Sequence, residues 1–397
     1  MAASPHLDPS PLPAPKVALV EPLSPAPIRS SARLPELDGL RGVAILLVLL
    51  FHGGFDQHFS SHFLSRLTVF GRLGWSGVDL FFVLSGFLIG GILRDVRNSS
   101  RYFKTFYLRR AYRILPVYFA MLALFSLRFL HLTAGPLGSF SSSPIPWFSY
   151  FTFTQNVWMA LVGSFGVGTL AATWSLAVEE QFYLTAPLVV RKISPSRLVL
   201  VLLVVIAAAP LLRTMIYFRF TNGGMTDCVS MPCRADALSC GMLSAWLVRS
   251  PRWWKFLLAH RSVLKMAAGV LMAGLVVINQ WGTQFDGPMV TLGYSWLAWF
   301  YTSVLLIAVT GASGWICRQL RRPALMRLGT VSYFTYLLHL PLMEAARRVL
   351  ALRFPYSSDG VQILAGWLGI GLSLVLAAIS WKYMEKPLLH RGHAHRY

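Results

Sequence analysis

Apolar stretches of about 20 residues recur along the chain after its first 35 positions, and polar or basic segments separate them. A bilayer core about 30 Å thick takes about 20 apolar helical residues, so each stretch is long enough to cross it. The pattern predicts an all-α fold, a polytopic membrane helix bundle of about ten transmembrane helices in one domain. The predicted spans are 39–56, 76–94, 112–131, 173–191, 198–216, 236–249, 262–280, 289–310, 331–349 and 362–384.

The segment 147–163 is also apolar, but the basic residues argue against an additional span there. Seven Lys and Arg residues fall in 94–113 and five in 249–265, whereas 132–147 has none. Positive charge marks cytoplasmic loops, and a span at 147–163 would invert the side of every later loop. We therefore expect a re-entrant or interfacial segment, with its irregular backbone covered by protein or facing a water-filled cavity.

The same charge pattern predicts that both termini are cytoplasmic. Residues 1–35 are rich in proline and lack the apolar run of a signal peptide, so we expect a disordered cytoplasmic tail. Residues 36–388 then form the membrane domain, and residues 389–397 form a basic cytoplasmic tail. These features predict a multi-pass protein of the cell membrane, in bacteria the inner membrane.

Composition supports a membrane protein and argues against nucleic-acid binding. The chain has 55% hydrophobic and 13% charged residues, against about 25% charged residues in soluble domains. The net charge of +21 comes from clusters between the spans, which is typical of topology signals and not of one nucleic-acid-binding face. These clusters favour anionic lipid headgroups and a phosphorylated cofactor as partners.

Four cysteines offer neither a disulfide framework nor zinc-ligand spacing, and we expect no metal site. Cys228 and Cys233 share a predicted outer loop, where an oxidising compartment could join them. The alternative is a pair of unlinked thiols that pack as small apolar side chains.

Arg41 and His52 lie within the first predicted span, where ionisable residues are costly and indicate function. Eleven residues at about 100° each come within about 20° of whole turns, so both side chains share one helix face, about 16 Å apart along the axis. A neutral imidazole, with an unperturbed pKa of about 6.5, suits proton abstraction, and His52 is the predicted general base. In the alternative, His52 only bonds a neighbouring helix and Arg41 reaches the headgroups.

Acidic residues near the outer ends of two spans are the predicted partners of this base. Asp79 could hold one imidazole nitrogen of His52, or it could be a hydrated residue at the membrane interface. Glu179 and Glu180 point about 100° apart on a helix, so one can face the interior while the other pairs elsewhere. We expect Glu180 to face inward.

Arg110 and Arg113 are three residues apart and share a helix face on the predicted cytoplasmic side. The fork geometry of guanidinium groups suits phosphate, and the phosphates of coenzyme A would be found on that side. The alternative is an anchor for lipid headgroups.

Three further ionisable residues carry weaker signals. Arg234 and Asp236 begin one span, and we expect them to pair with each other. His339 lies beside the helix-kinking Pro341 in the ninth span. It competes with His52 for the catalytic role, although structural support is the preferred interpretation.

Taken together, these residues resemble the acyltransferase-3 family of integral membrane O-acyltransferases, in order from Leu37 to about Leu388. Arg41 and His52 match its first-helix signature, an arginine and a histidine separated by ten residues, and Arg110 and Arg113 match its R-x-x-R signature. The chain also contains V-D-x-F-F-V-L-S-G-F-L-I, W-S-L-x-V-E-E-Q-F-Y, S-Y-x-x-Y-L-x-H and Y-x-E-x-P, the last with Tyr383, Glu385 and Pro387.

The resemblance implies a helix bundle that transfers an acyl group, with acetyl expected, from cytoplasmic acyl-CoA to a hydroxyl of a surface polysaccharide, glycolipid or secreted metabolite. By position, His52 would be catalytic, Arg41 would assist, and Arg110 and Arg113 would hold the donor. Acyl-CoA would be a co-substrate and not a resident cofactor. Some relatives carry a further hydrolase-like domain after the membrane part. Because this sequence ends soon after the tenth predicted span, any second transfer step is expected to need another protein.

The predicted reaction has two open forms, direct attack of the acceptor hydroxyl on the thioester or prior acylation of His52. A different class remains as the alternative: a transporter or flippase for a glycolipid or antibiotic, with the buried charges along its path. No internal repeat is visible, which disfavours the transporter.

Overall fold

The computed structural model describes residues 34–55, 71–131, 143–280, 283–311, 314–354 and 359–397. Every regular element among them is helical, as predicted. The predicted tail of residues 1–35 lies outside this part of the chain, apart from Leu34 and Pro35. The α-helices are α1 Pro35–Leu50, α2 Gly77–Asp95, α3 Tyr102–His131, α4 Trp147–Phe151, α5 Gln155–Val162, α6 Thr173–Lys192, α7 Pro195–Arg219, α8 Gly223–Val229, α9 Met231–Leu247, α10 Pro251–Ala259, α11 Arg261–Asn279, α12 Tyr294–Thr310, α13 Trp315–Leu320, α14 Pro323–Thr330, α15 Ser332–Arg353, α16 Asp359–Ser380 and α17 Lys386–Ala394.

Six helical segments are long and apolar enough to cross a membrane, which identifies a membrane protein. In the part of the chain that the structure describes, each of the ten predicted spans falls mainly on helices, but α9 has only 17 residues and α6 contains Glu179 and Glu180. The count of about ten therefore stays a prediction. The six segments are Pro35–Gly54, Arg72–Asp95, Pro195–Arg219, Arg261–Asn279, Met289–Thr310 and Gly360–Ala394.

The apolar segment 147–163 is divided into two short helices, α4 of 5 residues and α5 of 8 residues. Phe153 lies between them with a left-handed backbone (φ 54°), which ends helical hydrogen bonding at that point. Neither helix is long enough to cross a bilayer. α5 packs on α6 and α8, so protein covers part of this irregular backbone.

Helices α2 and α9 cross at unusually close range because each contributes a glycine to the contact. A Cβ atom on Gly86 would lie 2.0 Å from the carbonyl oxygen of Leu238, and one on Gly241 would lie 2.0 Å from that of Val83. Small residues let two membrane helices approach in this way. The crossing fixes the N-terminal ends of α2 and α9 beside each other, and both ends carry charged residues of the site.

The first predicted span is not one continuous α-helix. Helix α1 ends at Leu50 and continues into a π-helical turn, Phe51–Phe55, in which Gly54 adopts a φ of 149° that only glycine accepts readily. His52 lies in this turn, whereas Arg41 lies in the regular part of α1. π-Helical turns re-aim side chains and frequently occur at functional sites.

Candidate functional site

Three arginines from two helices line one cavity, which we call the arginine cavity. Arg41 enters it from α1, and Arg110 and Arg113 enter it from α3. The cavity encloses about 780 Å³ of space, including solvent at its mouth. The structure thus brings together the two arginine signatures of the sequence.

Glu179, and not Glu180, is the acidic residue of α6 that lines the arginine cavity. Its Oε1 accepts a hydrogen bond from Ser85 (2.6 Å), and its Oε2 accepts one from the Tyr183 hydroxyl (3.2 Å). Oε1 of Glu180 is also buried and has no hydrogen-bond partner among the described residues, so both carboxylates lie in the interior but only Glu179 lines this cavity. Three guanidinium groups face the Glu179 carboxylate, and Asp38 pairs with Arg41 at 3.7 Å, so positive charge exceeds negative charge here.

The C-terminal residues fold back onto the start of α3, next to the arginine cavity. The carbonyl oxygen of His395 accepts a hydrogen bond from Nη2 of Arg109 (2.7 Å), and that of Arg396 accepts one from Thr105 (3.1 Å). The Arg109 guanidinium also lies over the Tyr397 ring, and burial there raises the pKa of the Tyr397 phenol. The C-terminal residues thus bind Arg109, which does not line the arginine cavity, unlike Arg110 and Arg113.

His52 lines a second cavity, the histidine cavity, which encloses about 890 Å³ including its mouth. Val78 and Tyr336 line both the histidine cavity and the arginine cavity. The Tyr336 hydroxyl is 2.6 Å from the hydroxyl of Ser175, so the shared wall is held by a hydrogen bond between α15 and α6. Arg41 and His52 therefore face two adjoining cavities and not one undivided space.

The backbone of α1 fixes the tautomer of His52. Its Nδ1 lies 3.0 Å from the carbonyl oxygen of Val48. A carbonyl oxygen can only accept, so Nδ1 carries the hydrogen, and Nε2 of the neutral ring keeps the lone pair that can take a proton.

His339 packs against this ring, with centroids 5.0 Å apart. Its Nδ1 is likewise held by a carbonyl oxygen, that of Tyr336 (2.7 Å), but His339 is fully buried. Of the two histidines, only His52 lines the cavity, which agrees with the structural interpretation of His339.

Asp79 pairs with Arg234 of α9 and not with His52. The sequence hypothesis of an Asp79–His52 pair is wrong because the close α2–α9 crossing brings a stronger partner to the carboxylate. The expected pairing of Arg234 with Asp236 is wrong for the same reason. Asp236 instead pairs with Arg213 of α7, at 3.0 Å.

Sequence reasoning missed Arg213, which holds this charged group together. Arg213 is fully buried and donates to the carbonyl oxygens of Val290 (2.7 Å) and Cys233 (2.5 Å) and to Ser295 Oγ (2.5 Å). Ser295 in turn donates to Asp236 (2.7 Å). The available signal was an arginine inside the predicted span 198–216.

Two further features of the sequence are Glu385 of the Y-x-E-x-P stretch and the cysteine pair of the predicted outer loop. Glu385 accepts a hydrogen bond from Ser380 (3.1 Å) and lines neither the arginine cavity nor the histidine cavity, which suits a structural role. Cys228 and Cys233 are both buried free thiols. The unlinked alternative is therefore the one that the structure adopts.

A third cavity, the vestibule, adjoins the histidine cavity, and Gly168 and Leu340 line both. Arg347 and Arg348 line the vestibule, and Arg348 pairs with Glu344 at 2.6 Å. The three cavities form a series from the arginine cavity through the histidine cavity to the vestibule.

Apolar spanning helices around adjoining charged cavities define a membrane-embedded helical protein with an internal site. Residues 34–382 match the family described as Acyltransferase domain, and the chain belongs to this family. No solved structure matches the chain.

The chain is similar to three curated bacterial proteins over 90% of its length. It is 25% identical to the peptidoglycan O-acetyltransferase OatA of Listeria monocytogenes and covers 56% of that protein. It is 28% identical to the putative peptidoglycan O-acetyltransferase YrhL of Bacillus subtilis, of which it covers 55%. It is 25% identical to the O-acetyltransferase OatA of Staphylococcus aureus, of which it covers 58%. The chain thus spans little more than half the length of these relatives.

Proposed function

We propose that this protein is a membrane O-acetyltransferase that takes an acetyl group from acetyl-CoA and gives it to a hydroxyl of a cell-surface glycan. Membership of the acyltransferase family and the names of the relatives support the reaction class. The observation that carries the proposal is that Val78 and Tyr336 line both the arginine cavity and the histidine cavity and so form a common wall between them. Donor and acceptor can therefore approach the same point from different sides.

The arginine cavity is the proposed donor site. The phosphates of acetyl-CoA carry several negative charges, and Arg41, Arg110 and Arg113 offer forked donors for them. The positive-inside pattern of the sequence predicts that this cavity faces the cytoplasm, where acyl-CoA is available. With the phosphates held there, the thioester would extend towards Tyr336.

His52 is the proposed general base. The acceptor oxygen attacks the thioester carbonyl carbon while its proton passes to Nε2 of His52; the carbon–sulfur bond then breaks, and the departing sulfur takes that proton to give the free thiol of CoA. The hydrogen bond to Val48 orients the ring and, in the neutral imidazole, leaves the lone pair on Nε2 before the reaction. In the alternative form, Nε2 itself attacks the thioester carbonyl carbon, and the carbon–sulfur bond breaks to release CoA thiolate. The acceptor oxygen then attacks the acetyl carbon, the bond from that carbon to Nε2 breaks, and the acceptor's proton passes to the thiolate.

The acceptor is proposed to be a sugar hydroxyl of peptidoglycan or a related glycan, entering through the vestibule. Two of the relatives are named for peptidoglycan O-acetylation. A multi-pass arrangement in the bacterial inner membrane, with both termini cytoplasmic, would place the vestibule on the outer side.

The test is a transfer assay on the purified protein in lipid nanodiscs. Acetyl-CoA and a soluble peptidoglycan disaccharide are supplied, and released CoA thiol and acetylated sugar are measured together. We expect thiol release that depends on the disaccharide and disappears in His52→Ala. A transporter would consume no acetyl-CoA, so the same assay separates the two classes.

His260→Ala is the matched control, because His260 makes the same hydrogen bond through Nδ1, to the carbonyl oxygen of Phe256 four residues earlier (2.9 Å), but is exposed. It should retain full activity. A folded His52→Ala variant with wild-type activity would remove His52 from the mechanism.

A further inference from the structure

Four buried polar atoms around the histidine cavity have no hydrogen-bond partner among the described residues. They are Oδ2 of Asp79, Nε and Nη1 of Arg234, and Oε1 of Gln284, and all three side chains line this cavity. Asp79 is 1% exposed and Arg234 is 2% exposed. Native proteins pair nearly all their buried polar atoms, so a cluster of four points to a ligand that pairs them.

The chemistry of these atoms fits neighbouring hydroxyl groups. A hydroxyl both donates and accepts, and this cluster offers carboxylate and amide oxygens as acceptors beside guanidinium donors. Trp75 and Trp174 line the same cavity with large apolar surfaces. Aromatic side chains suit the C–H faces of a sugar ring, whereas a simple lipid alcohol would leave most of the polar atoms unpaired.

An ion pair and an aromatic contact hold the cluster in place. Oδ1 of Asp79 is bonded to Arg234, whose guanidinium lies over the Tyr294 ring at 3.7 Å. A second ion pair, between Arg213 of α7 and Asp236 of α9, holds the N-terminal end of α9 that carries Arg234. The two ion pairs carry no net charge, and the buried Asp227 lies near both arginines, so this group has no excess of positive charge, in contrast to the arginine cavity.

We propose that Asp79, Arg234 and Gln284 form an acceptor subsite that binds hydroxyl or acetamido groups of one pyranose ring, next to the hydroxyl that faces His52. The role of this ring as acetyl acceptor rests on the proposed function. The binding itself does not, so the two can be tested separately.

Gln284→Leu is the variant of choice, because Gln284 is only half-buried and belongs to no ion pair of the described residues, so its loss should spare the fold. Gln280→Leu is the matched control, since Gln280 is exposed and lines none of the three cavities. The probe is N-acetylglucosaminyl-N-acetylmuramic acid, with its binding to nanodisc-embedded protein measured by saturation-transfer NMR. The KM values for this disaccharide and for acetyl-CoA are measured on the same samples.

We expect Gln284→Leu to weaken disaccharide binding and raise its KM by about tenfold, the effect of one lost hydrogen bond to a buried group, with the KM for acetyl-CoA unchanged. Gln280→Leu should behave as wild type. Unchanged binding and KM in Gln284→Leu would overturn the subsite. If the wild type binds the disaccharide, loses binding in Gln284→Leu and yet transfers no acetyl group, the subsite stands and the proposed function fails. If the wild type neither binds nor acetylates the disaccharide, both are wrong.

Discussion

The buried pair of Asp79 and Arg234 joins α2 to α9, and removing either partner should destabilise the fold strongly. The two residues are 1% and 2% exposed, so each charge depends on the other for compensation. Removing one partner of such a pair leaves an uncompensated buried charge and costs roughly 3–5 kcal/mol. We expect a loss of this size in the free energy of unfolding for both Asp79→Ala and Arg234→Met.

The double variant is the informative one. With both charges gone, the group keeps only the neutral Arg213–Asp236 pair, so the double variant should lose about 2–3 kcal/mol less than the sum of the single losses. The measurement is equilibrium unfolding by SDS titration in mixed micelles, followed by tryptophan fluorescence.

Asp95 and Arg249 provide the matched control pair, because they also join α2 to the end of α9. Their ion pair is longer, at 3.2 Å, and Asp95 is 27% exposed. Its coupling energy should stay below about 1 kcal/mol, as for other accessible pairs. Additive losses at Asp79 and Arg234, or equal coupling in the two pairs, would refute the assignment of Asp79 and Arg234 as a desolvated pair that fixes the α2–α9 contact.

Two further predictions address donor binding and helix packing. Arg113→Lys loses the forked donor in the arginine cavity and should raise the KM for acetyl-CoA about tenfold, whereas Arg109→Lys, outside the cavity, should leave it unchanged in a steady-state assay. Gly241→Ala places a methyl group 2.0 Å from the Val83 carbonyl oxygen and should cost about 1–3 kcal/mol in the SDS titration, whereas Gly269→Ala, with nothing within 4 Å, should cost none.

The sequence predicted which helices carry the site, but not how their side chains pair. Hydropathy and basic clusters located the helices, and the spacing of Arg110 and Arg113 correctly predicted a shared face, because both signals are local. The Asp79–Arg234 pair joins residues 155 positions apart and depends on the glycine crossing of α2 and α9. No local pattern encodes which partner a crossing supplies, so the predicted partner, His52, was wrong.

Which of Glu179 and Glu180 lines the arginine cavity could not be predicted, for a related reason. Periodicity fixes the angle between adjacent residues, but the rotation of α6 about its axis is set by tertiary contacts such as the Ser85–Glu179 hydrogen bond. The direction of the His52 side chain could not be predicted from helical spacing either, because its π-helical turn changes that direction relative to a regular helix.

The distribution of charge between the two main cavities gives each proposed substrate its own end of the site. In the arginine cavity, three arginines outnumber the lining Glu179 and the Asp38 that pairs with Arg41, so a polyanionic donor gains most there. The charged group beside His52 has no excess of positive charge and offers unpaired donors and acceptors, so it favours an uncharged polar part of a ligand. A CoA phosphate in the histidine cavity would face the carboxylate of Asp79, which opposes binding in the wrong order. Selection by charge on one side and by hydroxyl pairing on the other would bring thioester and sugar to the common wall at Tyr336.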